Sequence, residues 1–371
     1  MRELSVPFFP PNMFEQDKSL IKSIVRKAGQ NNQFILKDEV SALEAEMCEY
    51  SGAKHVIAVH SGTGALGMAL RALDIGCNDE VITQSFCCQP VASEVVHLGA
   101  KPIFVDVDPD TSVMNPEKIV DSITSKTKAI IPAHLFSCMV DMPRLLEIAD
   151  AHNIPVIEDA CVVQGASLLG KKAGTFGRLG TWSFFQHKAM GGCGEGGVVL
   201  TDDDSLADKC RYLRNHGQTS RFYHELLGVN SRMDEIMAAY LRHRLRHYDG
   251  MLSRRADIAE FYHKSLAPVS EVIKRPPSGR EGRCYYMYNI QLTRRDELKE
   301  YLEKRGIGSQ VYYPRPIHTQ HGYLEYSDNK DLLTESIRIS KENLSLPMYP
   351  TLRDEQAQTV VDVILEFYNA S

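Results

Sequence analysis

A mostly parallel α/β sheet covered by helices, followed by a smaller α+β unit, is the fold class the sequence predicts. Three observations predict it. Short β-branched runs alternate with amphipathic stretches from about residue 55 to 160, prolines sit where first helical turns should be, and the texture turns helical after Thr201 before an α+β pattern returns.

The elements follow in order. Val56-Ile57-Ala58-Val59 reads as a strand leading to a helix over 65–70, and Glu80-Val81-Ile82-Thr83 leads to a helix over 91–98. Lys101 to Val105 leads to a helix over 116–123, and Ala129-Ile130-Ile131 to one over 142–152. Pro116 and Pro143 suit first helical turns, and Asn153 suits a helix end. Pro155-Val156-Ile157 ends at Glu158-Asp159, and Gly197 to Thr201 is a further strand. A continuous helical pattern without proline covers 233–266 and is expected to connect two domains. Beyond it lie a strand over 285–292, a helix over 296–304, a strand near 310–312 and a final helix over 353–367. The expected division is a large α/β domain over 1–245, including an N-terminal arm, and a small α+β domain over 246–371.

Composition bounds the function. The 371 residues are 43% hydrophobic and 24% charged, which argues against a disordered or fibrous chain. A net charge of −6 leaves no global basic field for nucleic acid or an anionic membrane, so neither is an expected partner. The start has no signal-like apolar run and no later segment approaches the roughly 20 apolar residues of a membrane span, so the cytoplasm is the expected location. Nine scattered cysteines without a C-x-x-C pair read as free thiols, and no metal site is expected.

Three constellations carry chemistry. Ser61-Gly62-Thr63-Gly64 stands between a strand and a helix, where unpaired N–H groups either hold a phosphate or are simply capped. Glu158-Asp159 ends a strand at the sheet edge where ligands bind, and an acidic residue there caps a helix, binds a metal or pairs with a protonated ring nitrogen. Lys188 follows the apolar Trp182 to Phe185 and precedes the glycine-dense Gly191 to Gly197, so it either lies on the surface or enters a pocket, where a desolvated amine forms Schiff bases. A phosphate cradle, a strand-end carboxylate and a lysine later in the chain are together what pyridoxal 5'-phosphate needs.

The chain resembles the fold-type I sugar aminotransferases of the DegT/DnrJ/EryC1/StrS family from about residue 30 onward. The resemblance rests on Ser61-Gly62-Thr63-Gly64-Ala65-Leu66, Gly99 to Asp108, Thr127 to Leu135, Glu158-Asp159-Ala160, Gly174-Thr175-Phe176-Gly177, Gly194-Glu195-Gly196-Gly197, Arg214-Asn215-His216-Gly217 and Asn230-Ser231-Arg232-Met233. It implies the fold of fold-type I enzymes, with a large mostly parallel sheet of the seven-stranded type, and a pyridoxal phosphate cofactor that passes through the pyridoxamine 5'-phosphate form. Lys188 is implied as the Schiff-base lysine that moves the proton, Asp159 as the partner of the ring nitrogen, and Gly62, Thr63 and Ser183 as phosphate ligands. Asn230 is implied to cross to the partner's cofactor, making the unit a homodimer with shared active sites. Three departures stand out: Cys88 where an aromatic ring normally stacks on the cofactor, with Phe86 the nearby ring; Val162 where a polar residue is usual, with Gln164 two places on; and one extra residue between Lys188 and Gly194. His187 and the stretch Tyr312, Tyr313, Arg315 and His318 are the substrate-side candidates, Arg315 for a carboxylate or phosphate. The implied activity is transfer of an amino group from glutamate or glutamine to a keto sugar, nucleotide-linked as is usual in that family, in amino-sugar biosynthesis for a polysaccharide or antibiotic. Two alternatives stand beside it: a dehydratase of the same family, against which Lys188 counts because those enzymes typically carry histidine there, and a non-catalytic metabolite-sensing regulator.

Overall fold

The computed structural model describes residues 5–10, 13–328 and 330–369. Seven strands build the main sheet: β1 (His55–Val59), β2 (Glu80–Gln84), β3 (Lys101–Val105), β4 (Thr127–Ile131), β5 (Ile157–Asp159), β6 (Leu179–Ser183) and β7 (Gly197–Thr201). β1, β7, β6 and β5 pair in that order, as do β3, β2 and β4. Parallel bridges Ile130↔Val156 and Ala133↔Asp159 join β4 to β5, giving the order β1-β7-β6-β5-β4-β2-β3. Only β7 runs antiparallel to its neighbours. β6 and β7 are buried at every position, as strands covered on both faces must be.

Helices α1 (Lys18–Asn31), α2 (Asp38–Ser51), α3 (Gly62–Ala72), α4 (Pro90–His97), α5 (Met142–Ala151) and α6 (Asp204–Leu213) surround this sheet. The expected helix over 116–123 forms only two 3-10 turns, Pro116–Lys118 and Val120–Ser122. The start is right, with Asn115 accepting from the Glu117 N–H, but of 116–123 only Ile119 is fully buried, and one anchor does not hold a longer helix. The expected continuous helix over 233–266 is two, α7 (Glu235–Leu245) and α8 (Tyr248–Ser265). Tertiary packing makes the break. Tyr248 is fully buried, donates to the Gln164 carbonyl at 2.7 Å and packs 6.0 Å from the Tyr50 ring, which turns the chain at Arg246-His247. The Glu235 carboxylate accepts from the N–H groups of Lys37, Glu39 and Val40 and so caps the start of α2.

The tail holds β8 (Tyr288–Gln291), α9 (Arg295–Lys304), α10 (Thr334–Glu342), β9 (Asn343–Leu346) and α11 (Asp354–Asn369). β8 and β9 pair antiparallel. The strand expected near 310–312 is reduced to one bridge, Gln310↔Ser345. Residues from Ile258 to Phe367 form a second hydrophobic core, which also takes in Val6. The Asp106 carboxylate, just past β3, caps α10 through the N–H groups of Glu335 and Ser336 and ties the tail to the main sheet. Among the described residues no helix is long and apolar enough to cross a membrane.

Candidate active site

The carboxyl ends of β5 and β6 and the start of α3 converge. Adjacent strand residues point to opposite faces, and this separates the two acids of the Glu158-Asp159 pair. Glu158 turns into a closed network: it accepts from the N–H groups of Gly174 (2.6 Å), Phe176 (2.9 Å) and Gly177 (3.3 Å) and lies 2.8 Å from His134 Nε2. His134 Nδ1 accepts from the Val140 N–H, so Nε2 is the nitrogen that donates to Glu158. Asp159 turns the other way, where one oxygen accepts from the Cys161 N–H at 3.0 Å.

The start of α3 is capped by the Ser61 side chain, which takes the Gly64 N–H at 3.0 Å. The N–H groups of Gly62 and Thr63 take no such bond and point outward at the positive end of the helix dipole. Ser183, at the end of β6, lies directly over Gly62: a Cβ there would stand 2.4 Å from Ser183 Cβ and 2.8 Å from its Oγ. Only glycine admits this approach.

Lys188 sits on a tight turn after β6, with its N–H bonded to the Phe185 carbonyl and its carbonyl taking the Gly191 N–H, both at 2.8 Å. Gly191 is required there, since a Cβ would come 2.1 Å from the Gln186 carbonyl oxygen. The Lys188 side chain is half-buried, with Nζ 5.3 Å from the Tyr286 ring centroid. Burial lowers its pKa, but the facing acidic groups Tyr286, Cys88, Cys161 and Asp159 raise it, and the balance lies above the ordinary lysine value. The neighbouring Cys88 thiol is lowered, chiefly by the hydrogen bond from Cys87, whose Sγ lies 3.8 Å away. Burial raises Tyr286.

A cavity of about 170 Å³ opens on Lys188, with Phe9, Val162, His187, Tyr286, Tyr312 and Tyr313 among its walls. The sequence-predicted residues distribute unequally around it. Lys188 and His187 line it, and Cys88 and Asp159 face the lysine electrostatically. Gln164 is fully buried; its amide nitrogen donates to the carbonyls of Ser183 and Cys161, and Oε1 has no protein partner. His318 lies behind the loop after β2, with Nδ1 2.5 Å from Ser85 Oγ, and Arg315 is exposed. Asn230 is exposed and accepts from Arg232, with no bond to the Lys188 cluster. Phe86 is fully buried between Phe136 and Tyr313. Phe9, Cys161 and Tyr286 were not singled out by sequence reasoning. Long-range contact brings the first and last to the site, and no local spacing marks them.

These residues fit pyridoxal phosphate. Gly62 N–H, Thr63 N–H and Ser183 Oγ form an anion cradle that a Cβ at position 62 would fill, Gln164 Oε1 is a buried acceptor without a donor, and Lys188 is an amine facing a carboxylate.

Comparison with known proteins agrees. Residues 15–365 match the DegT/DnrJ/EryC1/StrS aminotransferase family. The chain is 41% identical to a pleiotropic regulatory protein of Geobacillus stearothermophilus, with 96% of each chain covered. It is 40% identical to the UDP-N-acetyl-3-dehydro-alpha-D-glucosamine 3-aminotransferase of Acidithiobacillus ferrooxidans, with 89% of each covered. Among solved structures, DesV of S. venezuelae in complex with a ketimine intermediate superposes with a TM-score of 0.94 at 33% identity, over 99% of each chain. Bacillus subtilis NtdA with bound cofactor PMP superposes at 0.92 with 29% identity, covering 98% of this chain and 86% of that one. The fold and these likenesses coincide, and the chain belongs to the DegT/DnrJ/EryC1/StrS aminotransferase family of fold-type I, pyridoxal-phosphate-dependent enzymes.

Proposed function

We propose that the protein transfers an amino group from glutamate or glutamine to the keto carbon of a nucleotide-linked sugar, at C3. The observation that carries this reading is Lys188 at the wall of a cavity, facing Asp159, with the α3 cradle at the same sheet edge. The carbon is chosen because the Acidithiobacillus relative carries a 3-aminotransferase name at 40% identity. When bound, pyridoxal phosphate supplies an electron sink that lets the amino group leave one carbon and join another.

The chain's own residues do the rest. The α3 N–H groups and Ser183 hold the phosphate; Asp159, held by the Cys161 N–H, keeps a proton on the ring nitrogen. Lys188 Nζ, once neutral, takes a proton from one carbon and returns it to another, and the aromatic walls keep bulk water away from that exchange. The units over 1–245 and 246–371 would then bound the site from two sides. We also propose a homodimer in which Asn230 serves the partner's cofactor. In support, Asn230 is exposed beside Phe222, Tyr223 and Leu227, which are 75%, 69% and 98% exposed in the single chain.

A second reading, a metabolite-sensing regulator, is favoured by the likeness to the pleiotropic regulatory protein of Geobacillus stearothermophilus; retention of Lys188, Asp159 and Ser183 favours catalysis. The same experiment separates them. Adding L-glutamate or L-glutamine to the loaded protein without acceptor should convert the yellow form to the pyridoxamine form, and a 3-keto nucleotide sugar should then restore the yellow. A yellow protein unchanged by either donor would refute the proposal.

A further inference from the structure

The N-terminal arm reaches the active site. Val6 forms a parallel bridge with Ile307, donating to the Gly306 carbonyl at 3.1 Å and accepting from the Gly308 N–H at 2.8 Å, and its side chain is buried in the second core. So anchored, the arm buries Phe8, whose ring stands 6.2 Å from that of Tyr312, and delivers Phe9 to the cavity wall. The Phe9 ring stacks on His187 with centroids 4.1 Å apart and planes at 14°, and Phe185 meets the other imidazole contact edge-on at 5.4 Å. His187 immediately precedes Lys188.

The chemistry of this wall selects between the two substrates of a transaminase. Among the described residues the cavity is lined by six aromatic side chains, Phe9, Phe136, Phe185, Tyr286, Tyr312 and Tyr313, with Lys188 and His187 as the nitrogen-bearing groups and no arginine. Burial lowers the His187 pKa, so the imidazole presents a neutral ring. A glutamate or glutamine donor is an open chain bearing charged carboxylate and amine and offers little to such a surface. A pyranose presents a face of C–H bonds that an aromatic ring receives by dispersion and by release of water, while its hydroxyls turn to polar groups elsewhere.

Resting on the aminotransferase reading, we propose that Phe9, clamped on His187, is the positioning residue against which the acceptor sugar ring packs. It sets acceptor recognition and leaves donor recognition to other parts of the site.

The test uses the full-length, pyridoxal-phosphate-loaded protein with L-glutamate as donor and UDP-N-acetyl-3-dehydro-α-D-glucosamine as the acceptor probe. Phe9→Ala should raise the acceptor KM about tenfold, with the donor KM within about twofold of wild type, and Phe9→Tyr should recover most of the loss. Calorimetric titration with UDP-N-acetylglucosamine supplies a readout independent of turnover, and the same roughly tenfold weakening is expected in Phe9→Ala. An unchanged acceptor KM, or equal rises in donor and acceptor KM, overturns the proposal. If wild type converts neither donor nor acceptor, the aminotransferase reading fails, and the titration alone decides the role of Phe9. Equal Kd in wild type and Phe9→Ala, or no binding by wild type, then overturns it.

Discussion

Gly62→Ala tests the cofactor cradle most directly, because the structure fixes what the added methyl meets. The new Cβ would lie 2.4 Å from Ser183 Cβ, 2.8 Å from Ser183 Oγ and 3.2 Å from Cys161 Sγ. Carbon atoms rest at about 3.5–4.0 Å, so roughly 1 Å must open between the α3 start and the end of β6. Both sides are held: Ser183 lies in a strand paired on both edges, and Gly62 opens a helix whose first turn is capped by Ser61. Overpacking of this kind costs about 1–3 kcal/mol of stability. The shift also parts Ser183 Oγ from the α3 N–H groups, so one charge-assisted hydrogen bond to phosphate is lost, about 1.5–3 kcal/mol, or about 10- to 100-fold in cofactor affinity. Fluorescence titration should therefore show that rise in Kd for pyridoxal phosphate, while pyridoxal, which lacks the phosphate, binds with the same affinity as to wild type. A double-mutant cycle adds a stricter condition: Ser183→Gly removes both atoms the new methyl strikes, so Gly62→Ala should cost little more in that background. Additive losses in the cycle, or equal weakening of pyridoxal and pyridoxal phosphate, would refute the cradle.

Three further outcomes are expected. Lys188→Ala should fold but bind the cofactor without the yellow colour of the covalently held form, and turnover should fall at least about 10²–10⁴-fold; near-normal turnover would remove the central assignment. Glu158→Ala leaves the N–H groups of Gly174, Phe176 and Gly177 and the His134 ring without their acceptor, a loss of about 3–5 kcal/mol that thermal denaturation should register as a fall of several degrees, with Glu158→Gln intermediate. Burial lowers the pKa of His318, so between its folded value and the ordinary 6.5 the unfolded chain binds more protons than the native one. Stability should therefore be complete above pH 6.5 and decline as the pH falls below it, by at most about 1.4 kcal/mol per pH unit from this group, and His318→Gln should flatten the decline; an equally steep fall in that variant would place its cause elsewhere.

How far the sequence could be read depended on whether the deciding contact was local. Six of the seven strands of the main sheet were legible as short β-branched or apolar runs, whereas Leu179–Ser183 was not, because Gly180, Thr181 and Ser183 interrupt its apolar pattern although every position is buried. The break between α7 and α8 was not, since neither glycine nor proline marks Arg246-His247 and its cause is Tyr248 reaching the Gln164 carbonyl. In the site, Asp159 and Lys188 were legible because strand ends and the glycine-dense turn after β6 are local signals, whereas Phe9 arrives from the N-terminal arm and Tyr286 from just before β8.

The loop after β2 carries this point into function. Its inner side presents Cys88 to Lys188, while its outer side is held in large part by the tail: Ile317 donates to the Ser85 carbonyl at 2.9 Å, His318 binds Ser85 Oγ, and the Tyr313 ring meets Phe86 edge-on, with the Ser85 N–H bonded to the Val105 carbonyl of β3 at 3.1 Å and Phe136 on the other side of Phe86. Cys88 is therefore positioned in part from a segment more than two hundred residues later in the chain. The cavity at Lys188 carries the rings of Tyr286 and Tyr313, both from later in the chain. A change at Ser85 or His318 should therefore reach the cofactor through Cys88 and Tyr313 without touching it, and the site is as much a product of how the tail packs on the main sheet as of the strand ends that first revealed it.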